Sequence, residues 1–262
     1  MGEPQDLGDL EKPRPLVIAH RGLSSQYPEN TLPAFEAAVA CGADMIELDV
    51  ALTADGRFMV IHDDTLSRTT RTQGFVGHLR SQELQQLDAG QWFKADAAPS
   101  PIPRLDEVLD RIGGRIQLNI EVKPFFPLNQ TGRMQAALSR LLTILDERGL
   151  QSSALFSSVN YYLLEYLREL DADLRLGLIF RRPLTDFDPV FVCRAFKVAS
   201  LHPFHEQVDD ELIRSMHAIG VKVFPYTVNS RTRMRELFAM GIDGLFTDYP
   251  DRMIEELDNA GR

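Results

Sequence analysis

Short apolar runs alternate with helix-patterned stretches along nearly the whole chain, and this alternation limits the fold more than any other feature. Leu16–His20, Asp44–Val50, Ile116–Val122, Ala154–Ser157, Leu174–Phe180, Lys197–His202, Val221–Val228 and Asp243–Phe246 read as strands. Helical patterns follow them at Thr31–Ala40, Arg133–Glu147, Tyr161–Leu170, Pro189–Arg194, Asp209–Ala218, Arg231–Met240 and Ile254–Leu257, with Leu105–Ile112 standing before the third strand. In the first helix Asn30 or Thr31 is the cap and Pro33 lies in the first turn, where a missing N–H costs little. Eight β–α alternations in 262 residues predict an α/β fold, a (β/α)8 TIM barrel in one domain over 1–262. A doubly wound sheet would show a G-x-G-x-x-G turn after the first strand, and His20-Arg21-Gly22 stands there instead.

One stretch breaks the rhythm. Phe58–Ile61 follows Asp44–Val50 too closely for a crossover helix, and Asp55-Gly56 between them signals a hairpin. Residues 63–103 then carry only a short helical piece near Gln82–Leu87. They read as a small insertion after the second barrel strand, on the face where loops build active sites.

Composition narrows the function. With 38 acidic and 28 basic residues the net charge is −10, which argues against nucleic acid and against an anionic membrane surface. No run of about 18 apolar residues exists to span a membrane. Residues 1–15 hold no apolar core of a signal peptide, so a cytoplasmic location is expected. The two cysteines, Cys41 and Cys193, lie in apolar helical contexts and read as buried hydrophobes without a disulfide framework.

Charge gathers at the strand ends instead. Glu47 and Asp49 are two apart on one strand and share a face; Asn119, Glu121 and Lys123 repeat that spacing at the end of the next. Three converging carboxylates repel one another unless a cation sits among them, and oxygen ligands favour Mg²⁺ or Ca²⁺ over zinc. The competing reading is an ion network with Lys123 or Arg21. His20 and His62, also at strand ends, are the natural acid and base. Arg21 and Lys123 add fixed positive charge suited to a phosphate. His202 could line the mouth or equally sit in the core or behind the site, and Tyr226 and Phe180 could line the substrate pocket, although aromatic core packing is the better reading of either one alone; His78, His205 and His217 read as loop or surface. Ser157-Ser158 ends a strand, but no G-x-S-x-G surrounds it, which excludes a serine hydrolase of that type.

In order along residues 15–250, the chain carries His20-Arg21-Gly22, Pro28-Glu29-Asn30-Thr31, Glu47-Leu48-Asp49, His62-Asp63, Thr65-Leu66, Arg68-Thr69-Thr70, Leu87-Asp88-Ala89-Gly90 and Ile102-Pro103. Asn119-Ile120-Glu121-Val122-Lys123-Pro124, Tyr226-Thr227-Val228-Asn229, Asp243-Gly244 and Thr247-Asp248 follow. As a set these motifs resemble the glycerophosphodiester phosphodiesterase family, in its cytosolic bacterial form. The resemblance implies a TIM barrel that hydrolyses glycerophosphodiesters, such as glycerophosphocholine and glycerophosphoethanolamine, to sn-glycerol 3-phosphate and an alcohol. It implies His20 and His62 as the acid/base pair, and Glu47, Asp49 and Glu121 as ligands of one divalent cation. Arg21 and Lys123 become phosphate contacts. Beside that set, Glu29, Phe180, His202 and Tyr226 stand as candidates for the pocket or for its support. Tyr226 departs from the tryptophan that many members carry. The long insertion of periplasmic members after the third strand has no room in 124–132. A related barrel phospholipase acting on intact lipid, sphingomyelinase-like, is the alternative; it would need an apolar rim or a membrane-docking helix, and the sequence displays neither.

Overall fold

In the computed structural model, residues 13–94, 98–123, 131–181 and 188–260 are described. The amino-terminal stretch read for a leader and the connection after Lys123 read for a missing insertion fall largely outside those residues. The strands are β1 (Leu16–His20), β2 (Met45–Leu52), β3 (Phe58–Val60), β4 (Gln117–Val122), β5 (Ala154–Ser158), β6 (Arg175–Phe180), β7 (Ser200–Pro203), β8 (Lys222–Val223) and β9 (Gly244–Thr247). All but β3 run parallel in the order β8-β7-β6-β5-β4-β2-β1-β9. Backbone hydrogen bonds bring the two ends together: Asp243 N to Val223 O (3.3 Å), Phe246 N to Pro225 O (2.9 Å) and Val228 N to Phe246 O (2.8 Å). The result is the expected eight-stranded (β/α)8 barrel.

Helices cover the outside. They include α1 (Leu32–Cys41), α2 (Ser67–Thr70), α3 (Ser81–Leu84), α4 (Leu105–Ile112), α5 (Thr131–Asp146) and α6 (Tyr161–Leu170), then α7 (Pro189–Ala195), α8 (Asp210–His217), α9 (Arg231–Met240) and α10 (Pro250–Ala260). Alternation along each strand sorts the side chains. Leu118, Ile120 and Val122 face the helices and join the large outer core, while Leu16, Ile18, Met45, Leu155, Phe224 and Phe246 pack the barrel interior. Each such side chain contributes roughly 1.5–3 kcal/mol by leaving water. No helix of the described residues is long and apolar enough to cross a membrane.

Three local readings differ from the structure. The strand expected over Val221–Val228 survives only as Lys222–Val223, because Pro225 has no N–H to give a ladder. The neighbouring amides still reach β7, Phe224 N to Leu201 O and Tyr226 N to Pro203 O, so the barrel wall continues without regular strand. Thr31 is the residue before α1 but makes no side-chain cap; its hydroxyl donates to Pro28 O at 2.6 Å. The strand expected from Lys197 starts at Ser200, since Lys197 takes a positive φ of 48° in the turn after α7.

The hairpin forms as expected: β3 lies antiparallel to β2, pairing Val50 with Val60 and Leu52 with Phe58. The residues beyond it pack Ile61, Leu66, Val76, Leu84, Ala89 and Ile102 onto Ala51 and Met59 of the hairpin as a second small core. That core anchors the chain just after β3, where His62 stands. On the neighbouring strand the turn after β1 is tight. Gly22 has φ +86°, and a Cβ there would lie 2.6 Å from the Ala34 carbonyl carbon.

Gly22→Ala should therefore cost about 2 kcal/mol or more, combining left-handed strain with overpacking against backbone. Gly42→Ala is the control: φ is also +86° but nothing lies within 4 Å of the new Cβ, so it should cost about 1 kcal/mol from strain alone. Denaturant unfolding of both variants tests this; equal losses would refute the close-approach argument.

Candidate active site

In the register of β2 with β4, Glu47 lies opposite Asn119 and Asp49 opposite Glu121. One ligand oxygen from each of Glu47, Asp49 and Glu121 lies within 4.8 Å of the others. Glu47 and Asp49 are buried and Glu121 is partly covered. Arg21 and Lys123 also pair into the cluster, as the competing ion-network reading expects, and the three carboxylates together could hold a cation. Lys123 Nζ contacts Asp49 Oδ1 at 2.8 Å and Glu121 Oε1 at 2.5 Å, and Arg21 Nε lies 3.3 Å from Asp49 Oδ2. Asn30 Nδ2 donates to Asp49 Oδ2 at 2.8 Å.

Burial would raise the Asp49 carboxyl, but Lys123 and Arg21 overcome it and hold Asp49 far below the usual carboxylate range. Glu47 goes the other way. Burial, then repulsion from Asp49 and Glu121, pushes it well above the ordinary glutamate value. One of its oxygens accepts the Arg21 backbone N–H at 2.9 Å, and the other, Oε1, is buried with no hydrogen-bond partner. Burial raises Glu121 as well, against the pull of Lys123.

Each histidine is held by a carboxylate. His20 Nδ1 lies 2.7 Å from Asp248 Oδ1, and Asn229 Nδ2 donates to the other Asp248 oxygen at 2.6 Å. His62 Nδ1 lies 2.6 Å from Asp63 Oδ1, and Arg68 Nε donates to Asp63 Oδ2 at 2.6 Å. Burial opposes ionisation of both aspartates. Arg68 and His62 nevertheless bring Asp63 down to about 2, and His20, Asn229 and Ser24 bring Asp248 down to about 2. Ionised carboxylates accept Nδ1–H, which leaves Nε2 of each ring as the nitrogen that can work on a substrate. Arg68 also grips Glu29 through both Nη atoms at 2.7 Å, and Glu29 accepts from Arg21 Nη1 at 2.8 Å. A continuous charged network thus runs from His62 to the acidic cluster.

A cleft of about 820 Å³ opens over these groups and is lined by His20, Arg21, Glu47, His62, Glu121 and Lys123. Asp49 lies behind it, fully buried beneath Arg21 and Lys123. Tyr226 and His202 line the cleft too, His202 as a buried residue. Glu29 stands back as the link between two arginines. Phe180 is a correction. It is buried in the outer core against α7, since its neighbours Ile179 and Arg181 take the inward positions on the alternating strand.

Sequence reasoning assigned no role to Asp248, Asp63, Arg68, Asn119 or Arg181. The first four stand in quoted motifs, and a carboxylate beside a strand-end histidine is a usable signal for Asp63. Asp248 is 228 residues from His20, so nothing local joins them. Arg181 lines the cleft with its guanidinium 4.7 Å from the Phe204 ring centre.

The sequence model of the glycerophosphoryl diester phosphodiesterase family matches residues 20–252. A glycerophosphodiester phosphodiesterase of Caldanaerobacter subterraneus subsp. tengcongensis is 37% identical over 247 residues, covering 94% of this chain and 99% of that protein. The solved structure of an Oleispira antarctica phosphodiesterase in complex with the product sn-glycerol-3-phosphate superposes with a TM-score of 0.84 at 32% identity, covering 94% of this chain and 97% of that one. The glycerophosphodiester phosphodiesterase of Agrobacterium tumefaciens C58 gives a TM-score of 0.79 at 28% identity, covering 92% and 99%. The barrel, the cleft and these likenesses agree: the chain belongs to the glycerophosphoryl diester phosphodiesterase family and is an enzyme of that class.

Proposed function

We propose that the chain hydrolyses glycerophosphodiesters to sn-glycerol 3-phosphate and an alcohol, with His20 and His62 moving the protons. The observation that carries this reading is the pair of histidines, each held at Nδ1 by an ionised aspartate, on the cleft that contains the acidic cluster. The Oleispira relative with bound sn-glycerol-3-phosphate supports the product.

The residues present fit a divalent cation. Glu47 Oε1 is a buried anionic oxygen without a partner, and three carboxylates converge where the protein supplies two cations. Glu47, Asp49 and Glu121 would hold it, and their all-oxygen character suits Mg²⁺ or Ca²⁺. When bound, the ion supplies fixed positive charge to phosphoryl oxygens. Arg21 and Lys123 hold positive charge at the phosphate end of the cleft, and Glu29 and Arg68 keep Arg21 aimed.

The proton steps follow from the two rings. One histidine takes the proton from the glycerol 2-hydroxyl as its oxygen attacks phosphorus, and the other protonates the departing alcohol. A 1,2-cyclic glycerophosphate forms; water then opens it with the roles exchanged. Intramolecular attack is favoured because a well-oriented neighbouring hydroxyl can supply roughly 7–11 kcal/mol of the barrier. The segment 63–103, as one wall of a single barrel domain, carries Asp63 and Arg68 to His62. Action on intact lipid is the weaker reading: among the described residues, of the large exposed hydrophobics Tyr27, Phe75, Val159, Tyr162, Leu170 and Phe191, only Val159 lines the cleft.

Three outcomes are expected. Cation binding needs Glu47 ionised, and burial with its acidic neighbours raises that carboxyl above the ordinary glutamate range, so binding should weaken as pH falls through the raised range and release a proton there. Calorimetry in buffers of different ionisation enthalpy measures this; no proton release in wild type, or unchanged affinity in Glu47→Gln and Glu121→Gln, removes the assignment. His20→Ala and His62→Ala should each lower kcat by about 10²–10⁴-fold while cation affinity persists, and the double variant should be little worse than the worse single one. Near-normal turnover in either single variant excludes that histidine. A 2-deoxy analogue of glycerophosphocholine should bind without turning over. Hydrolysis near the parent rate would instead make water the direct nucleophile.

A further inference from the structure

His202 is used by none of these steps, yet it is 1% exposed and its ring forms part of the cleft wall. Its surroundings are built around it. Gly177 lies on β6 beneath the imidazole, and any Cβ there would come within 2.6 Å of His202 Cε1. Phe246 and Phe224 flank the ring, with centroids 4.8 and 5.7 Å away. Ser200 Oγ pairs with Nε2 at 2.8 Å. Nδ1, by contrast, is buried with no hydrogen-bond partner. A buried polar nitrogen left unpaired is costly to a fold, and such atoms in native proteins commonly serve a ligand.

The chemistry of that ligand follows from the ring. Burial pushes His202 down to about 3, so the imidazole is neutral at physiological pH. A neutral imidazole among Phe246, Phe224 and Ile179 is a poor partner for phosphate and no partner for a cationic head group. A hydroxyl suits it in either tautomer, since a hydroxyl both donates and accepts. The two ends of a glycerophosphodiester differ: the alcohol varies and must leave, whereas the glycerol is short and constant. A closed, buried wall fits the constant end.

We propose that His202 Nδ1 hydrogen-bonds the terminal hydroxyl of the substrate's glycerol, the one neither esterified nor adjacent to phosphorus, and so positions the 2-hydroxyl for its role. This rests on the glycerophosphodiester reading above. Gly177 makes the space, and Ser200 sets the ring orientation. His202 is in this sense a positioning and specificity residue, remote from the proton-transfer pair.

The test compares two ligands that differ by a single hydroxyl: sn-glycerol 3-phosphate and propane-1,2-diol 1-phosphate. By calorimetry, wild type should bind the first about tenfold more tightly, the worth of one hydrogen bond to a buried partner. In His202→Phe the preference should fall below about twofold, with affinity for the propanediol phosphate unchanged. His202→Gln, which can still hydrogen-bond, should recover part of it. Should His202→Phe fail to fold, His202→Met supplies the same comparison. A folded variant that keeps the wild-type preference overturns the assignment, as does a wild type with none. Hydrolysis of glycerophosphocholine is followed alongside. A wild type that hydrolyses it without discriminating the two ligands leaves the functional reading standing and removes His202 alone; a wild type that neither hydrolyses nor binds removes both.

Discussion

The mouth of the barrel is organised by one unfavourable concentration of charge. Glu47, Asp49 and Glu121 stand on adjacent parallel strands with two of them fully covered. Ionised carboxylates in such a place must be paired or lose their charge. The protein pairs Asp49 with both Arg21 and Lys123 and leaves Glu47 with a protonation state pushed toward neutral. Much of the surrounding geometry serves that arrangement. Arg21 takes a left-handed backbone conformation that lets its amide reach Glu47 while its side chain reaches Asp49 and Glu29. The turn that permits this depends on Gly22, pressed against the first turn of α1.

Carboxylates tie both histidines to the scaffold. His62 stands after β3, outside the ring of parallel strands, and is fixed through Asp63, Arg68 and Glu29 back to Arg21. His20 is fixed by Asp248, which arrives only because β9 pairs with β1 and closes the barrel. The two rings are therefore oriented by separate supports, one in the added segment and one where β9 pairs with β1. Preorganised groups of this kind need little rearrangement when charge develops on a substrate.

Inside the barrel, polarity rises from base to mouth. Leu16, Met45, Leu155 and Phe224 pack the base, His202 and Phe246 lie above them, and the charged groups crown the end. A neutral, buried histidine is the intermediate step of that gradient, polar enough to meet a hydroxyl and uncharged enough to lie between two phenylalanine rings.

Patterns of short range were legible in the amino-acid order. Apolar runs alternating with amphipathic stretches marked eight strands and the helices around them, because both periods are local geometry. Period-2 spacing placed Glu47 with Asp49 and Asn119 with Glu121, and Asp55-Gly56 announced the hairpin. Facing was harder to read: Phe180 and Arg181 are neighbours, and only the direction of the strand sends one to the outer core and the other to the cleft. Strand length near Pro225 was also misread, since amides there bond across to β7 without a regular ladder. Contacts between distant segments lay beyond any local pattern. Asp248 meets His20 across 228 residues, Arg68 meets Glu29 across 39, and Gly177 yields its side-chain volume to His202 on the next strand. Composition and spacing singled out the histidines and carboxylates of the mouth and set Asp63 beside His62, whereas ring closure decided that Asp248 orients His20, because sheet register brings residues from opposite ends of the chain within hydrogen-bond reach.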